Sequence, residues 1–360
     1  MSLLLKQARK PEAQAGFIAL QELRKPWIAR FIVFNGRTIP VASTTLNPAD
    51  VWGGIKARWG VGRMAYSVLP GLYAVGTPGP DSSVFVTANY KMSFDALRSS
   101  LGGIDCWVLV LDTKGINVWC AAGKGTFGTD ELVSRISRVK LSSIVSHRRI
   151  ILPQLGAPGV SAPELAKRSG YHVEWGPVRA ADIPAWIAAG QEKNDAMREV
   201  TFDLGDRMAV APVEIAHSWP IIAAALALGA LFGLPAGEGW MRRAISAAII
   251  LVGTIPVGTL LFPALLPWLP SRSFVVKGAL LGAAWAALGA LLFHVPLMAA
   301  LGGVFVAAPT VAFLSLNFTG ASTFTCQPGT LLEVEKSFWP MIVSLVAGIA
   351  LAAASRFMGA

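Results

Sequence analysis

The chain has 360 residues, of which 54% are hydrophobic and only 14% charged, which excludes a purely water-soluble protein. Nearly all the charge lies ahead of Trp219 and the longest apolar runs lie after it, so the chain divides into a soluble head and a membrane tail. The formal net charge of +10 is scattered and forms no basic stripe with interleaved aromatics, which argues against nucleic acid as a partner and for attraction to anionic lipid headgroups.

Residues 1–40 read as an N-terminal extension carrying Lys6, Arg9, Lys10, Arg24 and Lys25, without an apolar core of signal-peptide length. The head, residues 41–210, is therefore expected in the cytoplasm, where thiols stay reduced. Within it, short apolar runs alternate with helical patterns, which predicts an α/β fold with a mostly parallel sheet. Strands are expected at 72–75, 83–88, 107–112, 149–152, 171–175 and 200–204, and helices at 94–101, 130–140, 163–169 and 183–189. Thr129 and Ser161 are placed to cap two of these helices, the second of which opens on Pro163.

Residues 211–360 predict an all-α transmembrane domain with five spans, at 219–235, 244–269, 275–295, 296–316 and 338–354. Gly278, Gly282 and Gly289 suit close helix packing in lipid. Lys277 is expected to snorkel to the interface, and His294, at a span end, to lie there too. An odd number of spans puts the C-terminus across the membrane from the head.

The segment that carries chemistry is an insertion at 113–128, after the expected strand 107–112 and so at the carboxyl edge of the sheet, where open α/β folds bind ligands. Its centre, 117–124, reads as a short helix: Asn117 is a good N-cap, and Gly125 suits the left-handed position that ends it. Cys120 is then the third helical residue, where the helix N-terminus and Lys124 favour a thiolate. Ala121, Ala122 and Gly123 add little bulk beside it. The local residues are equally consistent with a buried structural cysteine. A phosphate loop at Gly123-Lys-Gly-Thr126 fails on spacing, because Val118 stands where the first glycine is needed and Gly125 follows the lysine. The three cysteines, Cys106, Cys120 and Cys326, include no CxxC pair and cannot hold an iron–sulfur cluster by themselves. Cys106 is expected in the core of a strand, and Cys326 as an incidental loop residue.

The octapeptide Asn117-Val-Trp-Cys-Ala-Ala-Gly-Lys124 resembles the cap-helix signature of the HgcA family, the membrane-bound corrinoid proteins of microbial mercury methylation. The head of that family is similar to the corrinoid-binding domain of the corrinoid iron–sulfur protein of the acetyl-CoA pathway. The resemblance covers the plan of a head followed by a five-span tail, continues through Gly125-Thr-Phe-Gly-Thr129, and includes Asn317-Phe-Thr-Gly-Ala-Ser322.

It implies a Rossmann-like corrinoid-binding head and an inner-membrane, corrinoid-dependent methyltransferase that passes a methyl group from cobalt to Hg(II), forming methylmercury. By the same resemblance Cys120 is the lower axial cobalt ligand of a base-off, cobalamin-type corrinoid. Asn117, Val118, Trp119, Ala121, Ala122, Gly123, Lys124, Gly125 and Thr126 form the cofactor-binding segment around it. Trp119 is expected to pack the helix onto the sheet, and Lys124 to tune the thiolate or meet a corrin amide. The sequence has no Asp-x-His-x-x-Gly motif with which other cobalamin domains supply histidine, since His147 is followed by Arg148 and Arg149, and His172 by Val173 and Glu174. The implied partners are a ferredoxin-like protein with two [4Fe–4S] clusters (HgcB) and a methyl donor of the methyltetrahydrofolate pathway. The alternative from another class is a membrane transporter or receptor whose head senses a small ligand, although the spans hold almost no ionisable residues in their middles.

Overall fold

Strands that are apolar along their whole length need cover on both faces, and the head is built that way. The computed structural model describes residues 25–234, 237–318, 323–325 and 327–357. Its contacts divide into a head unit, Met1–Ala57 with Val61–Thr201, and a second unit, Arg58–Gly60 with Phe202–Ala360.

The head sheet has seven strands: β1 (Ile28–Phe34), β2 (Arg37–Ala42), β3 (Gly71–Val75), β4 (Val84–Ala88), β5 (Cys106–Leu111), β6 (Arg149–Leu152) and β7 (His172–Trp175). Their order is β1-β2-β3-β5-β4-β6-β7. β5, β4, β6 and β7 run parallel, while β3 is antiparallel to β5 and β1 to β2. The helices are α1 (Pro48–Arg58), α2 (Lys91–Ser99), α3 (Val118–Gly123), α4 (Thr129–Arg138), α5 (Ala162–Ser169) and α6 (Ile183–Ala188). Side chains alternate across the strands. Val84, Val86, Trp107 and Leu109 pack with Leu132, Ile136 and Leu165 of α4 and α5. Phe85, Val108 and Val110 pack on the opposite face with Phe94, Leu97 and Trp186 of α2 and α6.

The expected strands at 72–75, 83–88, 107–112, 149–152 and 171–175 are present to within a residue. The expected strand at 200–204 is not: Asp203 there caps a helix by accepting from Asp206 N–H at 3.0 Å. Residues 28–42, which fall largely within the expected N-terminal extension, form a hairpin in the sheet, closed by Asn35 and Gly36 at φ 48 and 72. The helix expected at 94–101 begins three residues earlier, at Lys91. Gly128, not Thr129, is the N-cap of α4, and Thr129 Oγ1 instead accepts from Ser161 N–H at 2.9 Å. Ser161 occupies the N-cap of α5 without a side-chain hydrogen bond to it.

The second unit is helical: α7 (Leu204–Met208), α8 (Ala211–His217), α9 (Trp219–Gly233), α10 (Trp240–Pro256), α11 (Phe262–Leu265), α12 (Phe274–Leu292), α13 (Leu297–Leu316) and α14 (Gln327–Phe357). A π-helical turn, Val257–Leu261, joins α10 to α11. Among the described residues, four helical stretches are long and apolar enough to cross a membrane, and five are if the pair Leu204–His217 and Trp219–Gly233, bent by 57°, counts as one span. The small residues act as expected, since a Cβ on Gly282 would lie 2.5 Å from Ala307 O and one on Gly278 2.8 Å from Ala312 Cα. Lys277 does not snorkel: it is buried, and its Nζ donates to Leu266 O at 2.9 Å, next to the carbonyl end of α11. The motif at 317–322 is described only at Asn317 and Phe318, and Cys326 lies outside the described residues.

Candidate functional site

The loop entering α3 is held by one side chain from the neighbouring strand end. Asn89, immediately after β4, accepts at Oδ1 from Thr113 N–H and Gly115 N–H, both at 3.0 Å. The Thr113 hydroxyl donates to Ile116 O at 2.6 Å. Glu131 of α4 accepts from Asp112 N–H at 2.8 Å and is itself held by Arg135 at 2.8 Å. The turn also needs left-handed backbone at Lys114 and Gly115, with φ 61 and 73. These bonds fix where the short helix starts.

Asn117 is the N-cap, and its Oδ1 accepts from Cys120 N–H at 2.9 Å. Gly125 takes φ 75 just past the end of the helix, and Thr126 N–H returns to Ala121 O at 2.9 Å. Val118, Ala121 and Ala122 are buried against the sheet. Ala122 is small for a reason of packing: a Cβ on Gly159 would already lie 3.0 Å from its Cα, so chain passes close behind the helix. Trp119 is 37% exposed and lines a cleft shared with residues of β4 and β6. Cys120 is half-buried, and its thiol makes no hydrogen bond among the described residues. Lys124 is exposed, and a side chain at Gly123 or Gly125 would meet nothing within 4 Å, so the space beside the thiol is open.

A cleft of about 280 Å³ adjoins this helix at the carboxyl ends of β4, β6 and β7. Asn117, Val118 and Trp119 form one wall, and Leu97, Ile151, Leu155, Val178 and Ile183 are prominent among the others. Among the described residues no ionisable side chain lines it, and Cys120 follows Trp119 of its lining. The α2 wall is fixed from behind by a buried ionic cluster. Asp50 of α1 binds Lys91 Nζ and Arg98 Nη2, each at 2.7 Å, and Asp95 binds the same two cations at 2.6 and 2.7 Å. Burial alone would raise the Asp50 carboxyl. Hydrogen bonds from Lys91, the Asn47 N–H and Arg98 outweigh it and hold the group below its ordinary range.

Residues 61–187, the segment that holds the cap helix and β3 to β7, match the family model described as CO dehydrogenase/acetyl-CoA synthase delta subunit. The chain is 35% identical over 134 residues to the acetyl-CoA decarbonylase/synthase complex subunit gamma of Archaeoglobus fulgidus, covering 37% of this chain and 27% of that protein. The same subunit of Methanosarcina acetivorans is 33% identical over 136 residues, covering 37% and 28%. That of Methanopyrus kandleri is 28% identical over 127 residues, covering 35% and 27%. The chain thus spans about a quarter of the length of these relatives.

The remaining sequence candidates lie apart from the cleft lining. Cys106 is fully buried in β5, where burial and the neighbouring Asp105 push its thiol up to about 12. His147 Nε2 bonds Ser82 O at 2.9 Å while Nδ1 accepts from Arg149 N–H, a turn-holding role, and His172 is exposed on β7. Sequence reasoning missed Asn89, whose signal was its place at the end of a strand beside the insertion. It also missed the apolar cleft walls, which come from β6 and four other parts of the chain and share no motif.

Proposed function

We propose that the head binds a cobalamin-type corrinoid in a Rossmann-like site, base-off, with Cys120 as the ligand below cobalt. We propose further that the protein passes a methyl group to Hg(II), forming methylmercury. The observation that carries this reading is the Cys120 thiol: half-buried, without a hydrogen bond among the described residues, and held on a capped helix of six residues beside an apolar cleft at the carboxyl edge of four parallel strands. The relatives of the same segment are subunits of an acetyl-CoA decarbonylase/synthase complex, which supports a head built for one-carbon transfer. The donor set also fits: a soft sulfur suits a transition metal, and the open space at Gly123 and Gly125 admits a broad flat partner.

When bound, the corrinoid would supply a cobalt able to carry the methyl group, and Cys120 would be the residue that holds it through sulfur. The chain's own residues do the rest. Asn117 sets the helix register and thereby the height of the sulfur. Val118 and Ala121 anchor the helix from beneath, so that Cys120 stays put when its partner changes. Trp119 covers the cleft rim and excludes water, Lys124 meets polar substituents of the macrocycle edge, and Gly123, Gly125 and Thr126 close the turn with little bulk.

A methyl group that arrives as a cation equivalent and leaves as a carbanion consumes two electrons per turnover. With three cysteines in all, this chain supplies no cluster site of its own, so the proposal includes a ferredoxin-like partner with two [4Fe–4S] clusters. It also includes a donor of the methyltetrahydrofolate pathway, and places the tail in the inner membrane with the head in the cytoplasm.

The test is to purify the full-length protein, record its visible spectrum after corrinoid loading, and follow single-turnover methylmercury formation. Wild type is expected to hold the corrinoid and methylate, and Cys120→Ala to insert in membranes normally but form no methylmercury. A wild-type rate in Cys120→Ala would remove the ligand role. A wild-type protein that takes up no corrinoid would overturn the whole reading and favour a sensing head.

A further inference from the structure

A helix on the surface of a soluble domain buries its apolar side and shows its polar side to water, and α1 does the reverse. Asp50, Gly53 and Ala57, at helical spacing, form its inward side: Asp50 and Ala57 are buried, and the Tyr66 ring occupies the space a side chain on Gly53 would need. The charge buried there is satisfied, since Asp50 holds Lys91 and Arg98, and its backbone carbonyl accepts from the Tyr66 hydroxyl at 3.2 Å. Val51, Trp52 and Ile55 form the outward side, and all three are exposed, Trp52 at 59%. The segment after the helix adds Val61 and Met64, the latter 77% exposed. Single exposed apolar residues are ordinary, but three on one face of a short helix, opposite a charged inward side, make a surface built to be covered.

The residues that frame this face select what covers it. At about 100° per residue, Val51, Ile55 and Trp52 share an arc of about 100°, with Arg58 about 20° outside one edge and Lys56 about 40° outside the other. Neither cation forms an ion pair among the described residues. From Val51 to Pro80 the chain carries no carboxylate. An apolar strip with a tryptophan, bordered by cations and free of acids, has the composition of helices that lie in the headgroup layer of an anionic bilayer. The head is joined directly to the helical unit at Thr201 and Phe202, and that unit holds helices long enough to cross a membrane, so a lipid surface stays within reach of the head.

We propose that α1 docks the head on an anionic lipid surface, with Val51, Trp52 and Ile55 entering the headgroup layer and Lys56 and Arg58 meeting phosphate groups on either side. The proposal rests on the membrane reading of the tail, not on the corrinoid reading of the head. A face kept for a protein partner instead stays wet in vesicles that hold no other protein.

The test uses the full-length protein with Cys120→Ser and Cys326→Ser, so that a thiol-reactive fluorophore labels only the chosen position, Cys106 being buried. Ile55→Cys puts the label on the outward side of α1, and Lys167→Cys puts it on exposed α5, which packs on the sheet face opposite α2. Each protein is reconstituted in phosphatidylcholine vesicles with or without phosphatidylglycerol, then quenched by iodide on both sides or by a lipid carrying a nitroxide at headgroup level. With phosphatidylglycerol, the label at position 55 should resist iodide and respond to the nitroxide lipid, and that at position 167 should do the opposite. Lys56→Gln with Arg58→Gln should lower the ratio of docked to free helix by about 10- to 30-fold in those vesicles, the effect of two cations at an anionic surface. Trp52→Ser, at an exposed position, should weaken docking in both kinds of vesicle. Equal iodide quenching at positions 55 and 167, or docking in the double variant equal to wild type, would overturn the proposal. A protein that does not enter vesicles would overturn the membrane reading of the tail, and this proposal with it.

Discussion

Replacing Asn117 with alanine removes one defined interaction, the hydrogen bond from Cys120 N–H to Asn117 Oδ1 at 2.9 Å. Loss of an N-cap acceptor costs ~1 kcal/mol, and α3, with six residues, is too short to recover that through its own cooperativity. Val118 and Ala121 remain buried, so the helix is expected to open more often without detaching from the sheet. About 1 kcal/mol multiplies the open population of the Cys120 amide by about fivefold. Hydrogen exchange read by mass spectrometry on the full-length protein follows this directly. Peptides spanning 117–126 should exchange about fivefold faster in Asn117→Ala, those from β5 should not change, and Asn117→Asp should stay near wild type because aspartate accepts the same bond. Identical exchange in wild type and Asn117→Ala would show that the cap does not hold the cysteine. Equally fast exchange in Asn117→Asp and Asn117→Ala would assign the effect to something other than the accepted bond.

Asp50→Ala should destabilise the head by about 3–5 kcal/mol, because it leaves Lys91 and Arg98 buried without one of their two carboxylates; a loss below about 1 kcal/mol in denaturant unfolding would refute the role of the cluster. The folded Asp50 carboxyl lies below its ordinary 3.8, so the unfolded chain takes up the proton first as pH falls. Its contribution should be complete above that value and drain away below it, and Asp50→Asn should lack this part of the acid dependence. Cys106, pushed up to about 12 by burial and by Asp105, should remain a thiol at mildly alkaline pH. Iodoacetamide followed by peptide mass spectrometry should therefore find Cys120 modified and Cys106 spared, and comparable labelling of both in the folded protein would contradict the burial.

Local signals were legible in the residues. Asn35-Gly36 between apolar runs is a strong hairpin signal, and it closes β1 and β2. Asn47 and Asp50 form a reciprocal cap at the start of α1, with Asp50 N–H donating to Asn47 Oδ1 at 2.9 Å and Asn47 N–H to Asp50 Oδ2 at 3.0 Å. The run at 200–204 has strand-like residues, but Asp203 competes for backbone N–H groups and turns the chain into a helix. At the site, the Asn117 cap and the left-handed Gly125 followed from residue type and spacing, because each is satisfied within a few residues of itself.

What the amino-acid order determined by itself was therefore short in range: the capped cysteine helix, the apolar strand runs, and the long helices of the tail. How far Trp119 is covered depended on which neighbours were already filling the space beneath α3, and Val118, Ala121 and Ala122 fill it. The fate of Lys277 was settled likewise by a carbonyl eleven residues away at the end of another helix. The cleft was decided only by the tertiary structure, because a cavity is the space that separate elements fail to fill, and no single segment encodes it.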